Sequence, residues 1–268
     1  MVDGKEGAMT HESGQVEEAV VRADEVEQGK IFPAPEDRGY KVSIFGTGSN
    51  KTPTDSRVID MAGDLSRILI ESGNHVATGG YNVGIMKAVH AEAAETAERL
   101  GIAGREGLNT AYPLSEKIKW PVPDRAEVDR SESLSLRLSK LIDSSDAFVV
   151  FSGTMGTETE LLSTVNSQML EMAKEGAQIK PVIVIDPTSE LSFFLADRAK
   201  KDPKFSQSSV AEHVYLVSSP EEANEIVDIY YLMNAGKEVE PERLEKIKPE
   251  SFKSFFSSLG TFEDGGGI

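Results

Sequence analysis

Residues Asp146 to Leu162 read DAFVVFSGTMGTETELL. An uninterrupted apolar run, Ala147 to Phe151, stops at Ser152-Gly153-Thr154, and a second apolar pattern begins at Leu161. A short continuous apolar run bounded by small residues fits a strand covered on both faces. The residues from Thr157 to Lys174 have helical spacing. A buried strand that ends on glycine and opens into a helix is the repeating unit of a parallel sheet.

The same unit recurs on either side. KVSIFG (Lys41 to Gly46) is a strand ending in glycine, and Ser56 to Ser72 carries Val58, Met61, Ala62, Leu65, Ile68 and Leu69 at helical spacing. HVATGG is a second such strand, followed by an alanine-rich helix from Val83 to Leu100. PVIVID, with Pro181 where a strand tolerates it, precedes a helix near Leu191 to Lys200. HVYLVS is the last strand, before a helix from Glu221 to Met233. The pattern predicts an α/β fold, a doubly wound, mainly parallel sheet with helices on both faces in a Rossmann-like three-layer sandwich. Such folds bind ligands beyond the C-terminal ends of their strands.

Outside this frame the chain is less patterned. Residues 1–38 are polar and acidic and read as a disordered tail with a fleeting helix near Val16 to Val26. Residues 39–236 read as one domain, and 237–268 as a C-terminal extension, a helix and then a loose tail. Gly101 to Arg130 reads as a loop over the strand ends, and its Trp120 as a packing anchor.

Composition narrows the chemistry. The 268 residues include no cysteine, which removes thiolate metal sites and cysteine nucleophiles. The histidines His11, His75, His90 and His213 lack ligand spacing, so no metal is expected. A formal net charge of -17 argues against nucleic acid and anionic membranes as partners. No stretch reads as a membrane span or leader, and the expected location is the cytoplasm.

Three strand ends carry the candidate site: FGTGSNKT with Gly46 and Gly48, TGGYNVGIM with Gly79, Gly80 and Gly84, and FSGTMGTETE with Gly153, Thr154, Gly156 and Thr157. Each precedes a helix whose first N–H groups are unpaired and electropositive. One such loop is explained by a tight turn; three on one sheet edge point to a phosphate or nucleotide. The first loop lacks the third glycine of the dinucleotide fingerprint, so no hydride-transfer cofactor is expected. Thr157 and Glu160 have the T-x-x-E spacing of a helix capping box, which would account for both without any function. Gly153 and Gly156 are left to explain, and they suggest close approach of backbone to a ligand.

These motifs resemble a known family. SGTMGTETE is similar to the P-G-G-x-G-T-x-x-E signature of the lonely-guy, lysine-decarboxylase-like family, and GGYNVGIM resembles its G-G-G-x-x-G-L-M. FGTGSN resembles its first strand end, and KPVIVI with FFLADRAKKDPKF its closing strand and helix. The resemblance runs from about Lys41 to Met233. Despite the older name, it implies a phosphoribohydrolase that releases the base from a nucleoside 5′-monophosphate, cytokinin-type or AMP-like, with no cofactor. It also implies an arginine on the helix before the signature strand, which here is Arg137 in SLSLRLSKLIDSSDAFVV. Leu134, Leu138, Leu141 and Ile142 form an apolar stripe with Arg137 at its edge, where an arginine ordinarily keeps its head in water. The implied roles are water activation or charge stabilisation for Glu160 and phosphate holding or Glu160 orientation for Arg137, with the glycine loops on the phosphate. The chain departs from the signature at Ser152 and Thr154, at Tyr81 in place of a glycine, and at Leu138 in place of a lysine. The alternative is a non-catalytic nucleotide or molybdenum-cofactor carrier. Proteins of this kind are commonly homodimers, and Leu161 to Met172 is the candidate contact helix.

Overall fold

In a computed structural model, residues 35–48, 55–115, 120–171, 174 and 180–260 are described. The expected helix at Val16 to Val26, most of the tail at 1–38 and the closing residues 261–268 lie outside them. Ala34–Ile268 is one compact unit.

The sheet has seven parallel strands, β1 (Lys41–Phe45), β2 (His75–Thr78), β3 (Asn109–Ala111), β4 (Glu127–Val128), β5 (Ala147–Phe151), β6 (Val182–Ile185) and β7 (Val214–Val217). Their order is β4-β3-β2-β1-β5-β6-β7. The chain builds outward from β1 to one edge, returns to lay β5 beside β1, and builds outward to the other. In register, Val42 opposes Ala147 and Phe45 opposes Val150. The β1–β5 junction is therefore the topological switch point, where divergent connections open a crevice at the C-terminal strand ends.

Alternation along the strands sends side chains to opposite faces. Val42, Ile44, Val149, Phe151, Ile183 and Ile185 join one core cluster with helices α1 (Ser56–Glu71), α2 (Gly84–Arg99) and, further along the chain, α7 (Pro220–Asn234). Phe45, Phe148, Val150, Val182 and Val184 join the other with α3 (Leu134–Asp143), α4 (Met155–Glu171) and α5 (Glu190–Lys201). Every residue of β1 after Lys41, and every residue of β5, is buried, which is why β5 reads as an unbroken apolar run and β1 as one interrupted only by Ser43, whose hydroxyl is hydrogen-bonded to Leu141 O and Ser145. Helix ends follow local chemistry: Ser219 and Glu222 close a capping box on α7 behind Pro220.

Two regions go beyond the sequence pattern. The segment at Gly101 to Arg130 contributes β3 and β4 to the sheet edge, elements of three and two residues. The C-terminal extension holds α8 (Pro241–Ile247), a 3₁₀ turn at Lys248–Glu250 and α9 (Phe252–Gly260), after the short α6 (Pro203–Ser206). Ser251 forms an antiparallel bridge with Tyr215 on the edge strand β7. Phe252 is fully buried, stacked on Phe205 and Phe256. At the other end, the Arg38 N–H bonds to Gly73 O at 3.0 Å, its guanidinium pairs with Asp228, and Asp37 bonds to His75. The packed unit thus reaches back before Gly39. Among the described residues no helix is long and apolar enough to cross a membrane.

Candidate functional site

At the switch point, a cavity of about 210 Å³ opens beyond the ends of β1, β2 and β5. Its lining includes Gly46, Thr47 and Gly48 after β1, Gly79 and Tyr81 after β2, Arg137 on α3, and Thr154, Gly156, Thr157 and Glu160 after β5. Three loops far apart in sequence reach one cleft because parallel strands deliver all their C-terminal ends to the same sheet edge.

The centre of the site is an ion pair. Arg137 Nη2 donates to Glu160 Oε1 at 2.8 Å, and the two side chains are only 12% and 14% exposed. Burial pushes the Glu160 carboxyl up to about 7, against the opposing pull of the Arg137 charge and hydrogen bond. Desolvation wins because a carboxylate with so little access to water loses hydration that one guanidinium does not replace. Glu160 can therefore change protonation near neutral pH. Arg137 Nε is buried with no hydrogen-bond partner among the described residues. Such a donor is uncommon in a folded protein, and it lies on a side chain that lines the cavity.

The helix start differs from the sequence expectation. The Thr154 carbonyl accepts from Thr157 N–H at 2.8 Å and from Glu158 N–H at 3.1 Å, and α4 begins at Met155. Thr157 is thus already helical and buried rather than a cap, and the T-x-x-E capping box does not form. Glu160, one turn further on, is released from any capping role and turns to Arg137 on α3. The spacing was correct for a cap, but the helix starts two residues earlier than the apolar pattern indicated. Arg137 likewise departs from the edge-of-stripe reading: its head is buried against Glu160, while Leu134 is 54% exposed and lies off the core.

The glycines divide into two sets. Gly46, Gly48, Gly79 and Gly156 line the cavity. A Cβ on Gly156 would meet nothing within 4 Å, so its bare backbone faces open space. Gly80, Gly84 and Gly153 stand behind the wall. Gly84 has φ +53, and a Cβ there would lie 2.4 Å from Thr47 O, so α2 can start against the β1 loop only with glycine. A Cβ on Gly153 would lie 2.1 Å from Thr157 Oγ1. Thr154 and Thr157 line the cavity directly. The start of α4, where the Met155 and Gly156 N–H groups precede the first helical bond, thereby adjoins the cavity and can receive an anion.

Sequence reasoning missed several contributors, Thr47 and Met86 of the lining among them. Trp120, taken for an anchor, lines the cavity and is 51% exposed. Tyr81, noted only as a departure, lines it as well. Asp186 at the end of β6 accepts from Ser152 Oγ at 3.1 Å and from Ser192 N–H and Oγ at 2.8 and 2.9 Å, tying the signature loop to α5. A small polar residue in the place of the signature proline was the available signal. Among the described residues no cluster of three His, Asp or Glu side chains is placed to hold a metal ion.

Comparison with known proteins adds a family. A family model described as possible lysine decarboxylase matches residues 69–241. The match begins inside α1, so the β1 loop with Gly46 and Gly48 precedes it. Comparison with curated protein sequences found no relative. Among solved structures, the chain is similar to the molybdenum cofactor binding protein from the phototrophic bacterium Rippkaea orientalis, at 21% identity and a TM-score of 0.52, covering 71% of this chain and 96% of that one. It is also similar to the Moco carrier protein from Chlamydomonas reinhardtii, at 18% identity and a TM-score of 0.51, covering 72% and 98%. These likenesses concern the Rossmann-like fold.

Proposed function

The chain belongs to the possible lysine decarboxylase family, and from that premise we propose that it binds a nucleoside 5′-monophosphate in the strand-end cavity and hydrolyses its N-glycosidic bond. The products are the free base and ribose 5-phosphate. The observation that carries the reading is the buried Arg137–Glu160 pair inside a cavity lined by strand-end glycines.

The reaction breaks the bond between ribose C1′ and the base nitrogen through an oxocarbenium-like transition state. The ionised Glu160 carboxylate stabilises the positive charge at C1′ and takes a proton from the attacking water, whose oxygen forms the new bond to C1′. The departing base carries away the bonding electron pair and takes up a proton from solvent, to which Glu160 returns the one it took from the water. A carboxyl with a pKa of about 7 is well matched to this proton transfer at neutral pH. The N–H groups at the start of α4 receive the phosphate. Arg137 orients Glu160 through Nη2, and its unpartnered Nε supports a contact with the ligand.

A second reading is a carrier that holds a phosphorylated ligand unchanged. It is favoured by Tyr81 and Thr154, which project into the cavity lining where the resembled motifs have glycine. Incubation with a panel of nucleoside monophosphates, followed by chromatography for free base, separates the two. Base release supports the hydrolase, and tight binding without release supports the carrier. In either case we propose a homodimer, with the α4 stretch that starts at Leu161 and carries Leu170, 72% exposed, in the contact; Met172, the end of the expected contact helix, lies outside the described residues. Light scattering at micromolar concentration tests it, and a monomer mass would remove it.

A further inference from the structure

Trp120 is the single tryptophan of the chain, and it sits at the rim of the cavity with about half its surface exposed. An indole that only anchored a loop would bury its rings, because that burial is what it contributes to stability. Trp120 is instead held in place by a neighbouring ring. The Tyr81 ring lies edge-on to it, with centroids 5.1 Å apart and planes at 69°. Tyr81 is itself fixed: it is 4% exposed, and its hydroxyl accepts from the Leu114 N–H at 3.1 Å. The next residue along is tied down too, since Asn82 N–H donates to Pro121 O at 2.8 Å.

The dimensions of the site give this rim a task. At about 210 Å³ the cavity is smaller than the ~300–1,000 Å³ of pockets that enclose a whole ligand. A ligand whose phosphate reaches the α4 N-terminus and whose C1′ reaches Glu160 must extend its remaining part outward. Along the lining, Arg137, Glu160 and the α4 start supply charge, and Trp120 and Tyr81 supply the aromatic surface.

We propose that Trp120 is the platform on which the ligand's heteroaromatic base stacks, so that the site selects nucleoside monophosphates over phosphosugars that carry no flat ring. The inference rests on the nucleotide reading above. Stacking is tolerant of base identity because every base presents a π-face.

The test compares AMP with ribose 5-phosphate by calorimetry on the full chain, for wild type, Trp120→Leu and Trp120→Phe, with ligand integrity checked by chromatography. Wild type is expected to bind AMP about tenfold or more tighter than ribose 5-phosphate, the scale of one base–aromatic stack. Trp120→Leu should bring AMP down to the level of ribose 5-phosphate while leaving ribose 5-phosphate unchanged, and Trp120→Phe should restore much of the difference. AMP, but not ribose 5-phosphate, should change the intrinsic fluorescence of the wild-type chain. Equal AMP affinity in wild type and Trp120→Leu would overturn the platform while leaving nucleotide binding standing. Equal weakening of both ligands would overturn it in favour of a purely structural role. Failure of wild type to bind either ligand would remove the nucleotide reading and the platform with it.

Discussion

Arg137 on α3 and Glu160 on α4 meet through a 2.8 Å hydrogen bond that joins two helices across the end of β5. They are 23 residues apart in sequence. Their pairing gives the cavity a carboxyl able to titrate near neutral pH, and it makes the first prediction a matter of charge rather than shape.

Glu160→Gln keeps the size and hydrogen-bonding reach of the side chain and removes its charge. Because Glu160 caps no helix, the change should leave the α4 start intact. Base release should fall on the order of a hundredfold or more, with AMP affinity by calorimetry within a few-fold of wild type. Undiminished release in this variant would sink the catalytic assignment.

The carboxylate form is the active one in the proposed reaction. The rate should therefore fall as pH drops through about 7, the raised position of Glu160. Arg137→Ala removes the one opposing influence on that carboxyl, so any residual activity should show its midpoint at higher pH. The stability effect has a defined sign as well. Folded Glu160 binds its proton more tightly than the unfolded chain, whose carboxyl titrates near 4.5. Its contribution to stability is thus largest below pH 4.5 and is lost as pH rises from there through about 7. Denaturant melts of wild type and Glu160→Gln across that window isolate the term, and a rate profile flat from pH 6 to 8 would contradict the assignment.

Gly153 and Gly156 should respond oppositely to alanine. At Gly153 the new Cβ would lie 2.1 Å from Thr157 Oγ1 and 2.7 Å from Thr157 Cβ, forcing the loop and α4 apart. We expect a loss of roughly 1–3 kcal/mol in stability, the usual cost of overpacking. At Gly156 the Cβ enters open space beside the cavity. Its melting temperature should hold while phosphate and AMP affinity fall, and unchanged affinity would place the ligand elsewhere.

Phe252 tests whether the C-terminal extension belongs to the fold. It is the first residue of α9 and is fully buried in the second core cluster, against Phe205. Phe252→Ala should cost about 3–5 kcal/mol, measured by denaturant unfolding. A cost below about 1 kcal/mol would show that the site collapses freely and that the extension is dispensable.

The five long strands and the helices between them were legible in the sequence. Burial on both faces writes itself as unbroken apolar runs, as in AFVVF at β5, and one-sided packing writes itself as helical periodicity. The family signature was legible for the same reason that motifs exist, since a strand-end loop keeps its parts within a few residues. β3 and β4 were not, because three and two residues are too few to show a period. Local spacing also misplaced the start of α4. The T-x-x-E pattern fits a cap in isolation, but the helix gains two further residues once the Thr154 carbonyl accepts the bonds of the first turn. The pairing of Glu160 with Arg137 was one of two roles the family resemblance implied for that arginine, but the pairings of Tyr81 with Trp120 and of Asp186 with Ser152 were not in the sequence at all. Each joins residues on different elements. Their contact depends on the sheet order, which places β6 beside β5 and β3 beside β2, and on how the helices and loops settle against that sheet. Composition and spacing determine which surfaces are buried; only close packing determines which polar groups are buried together.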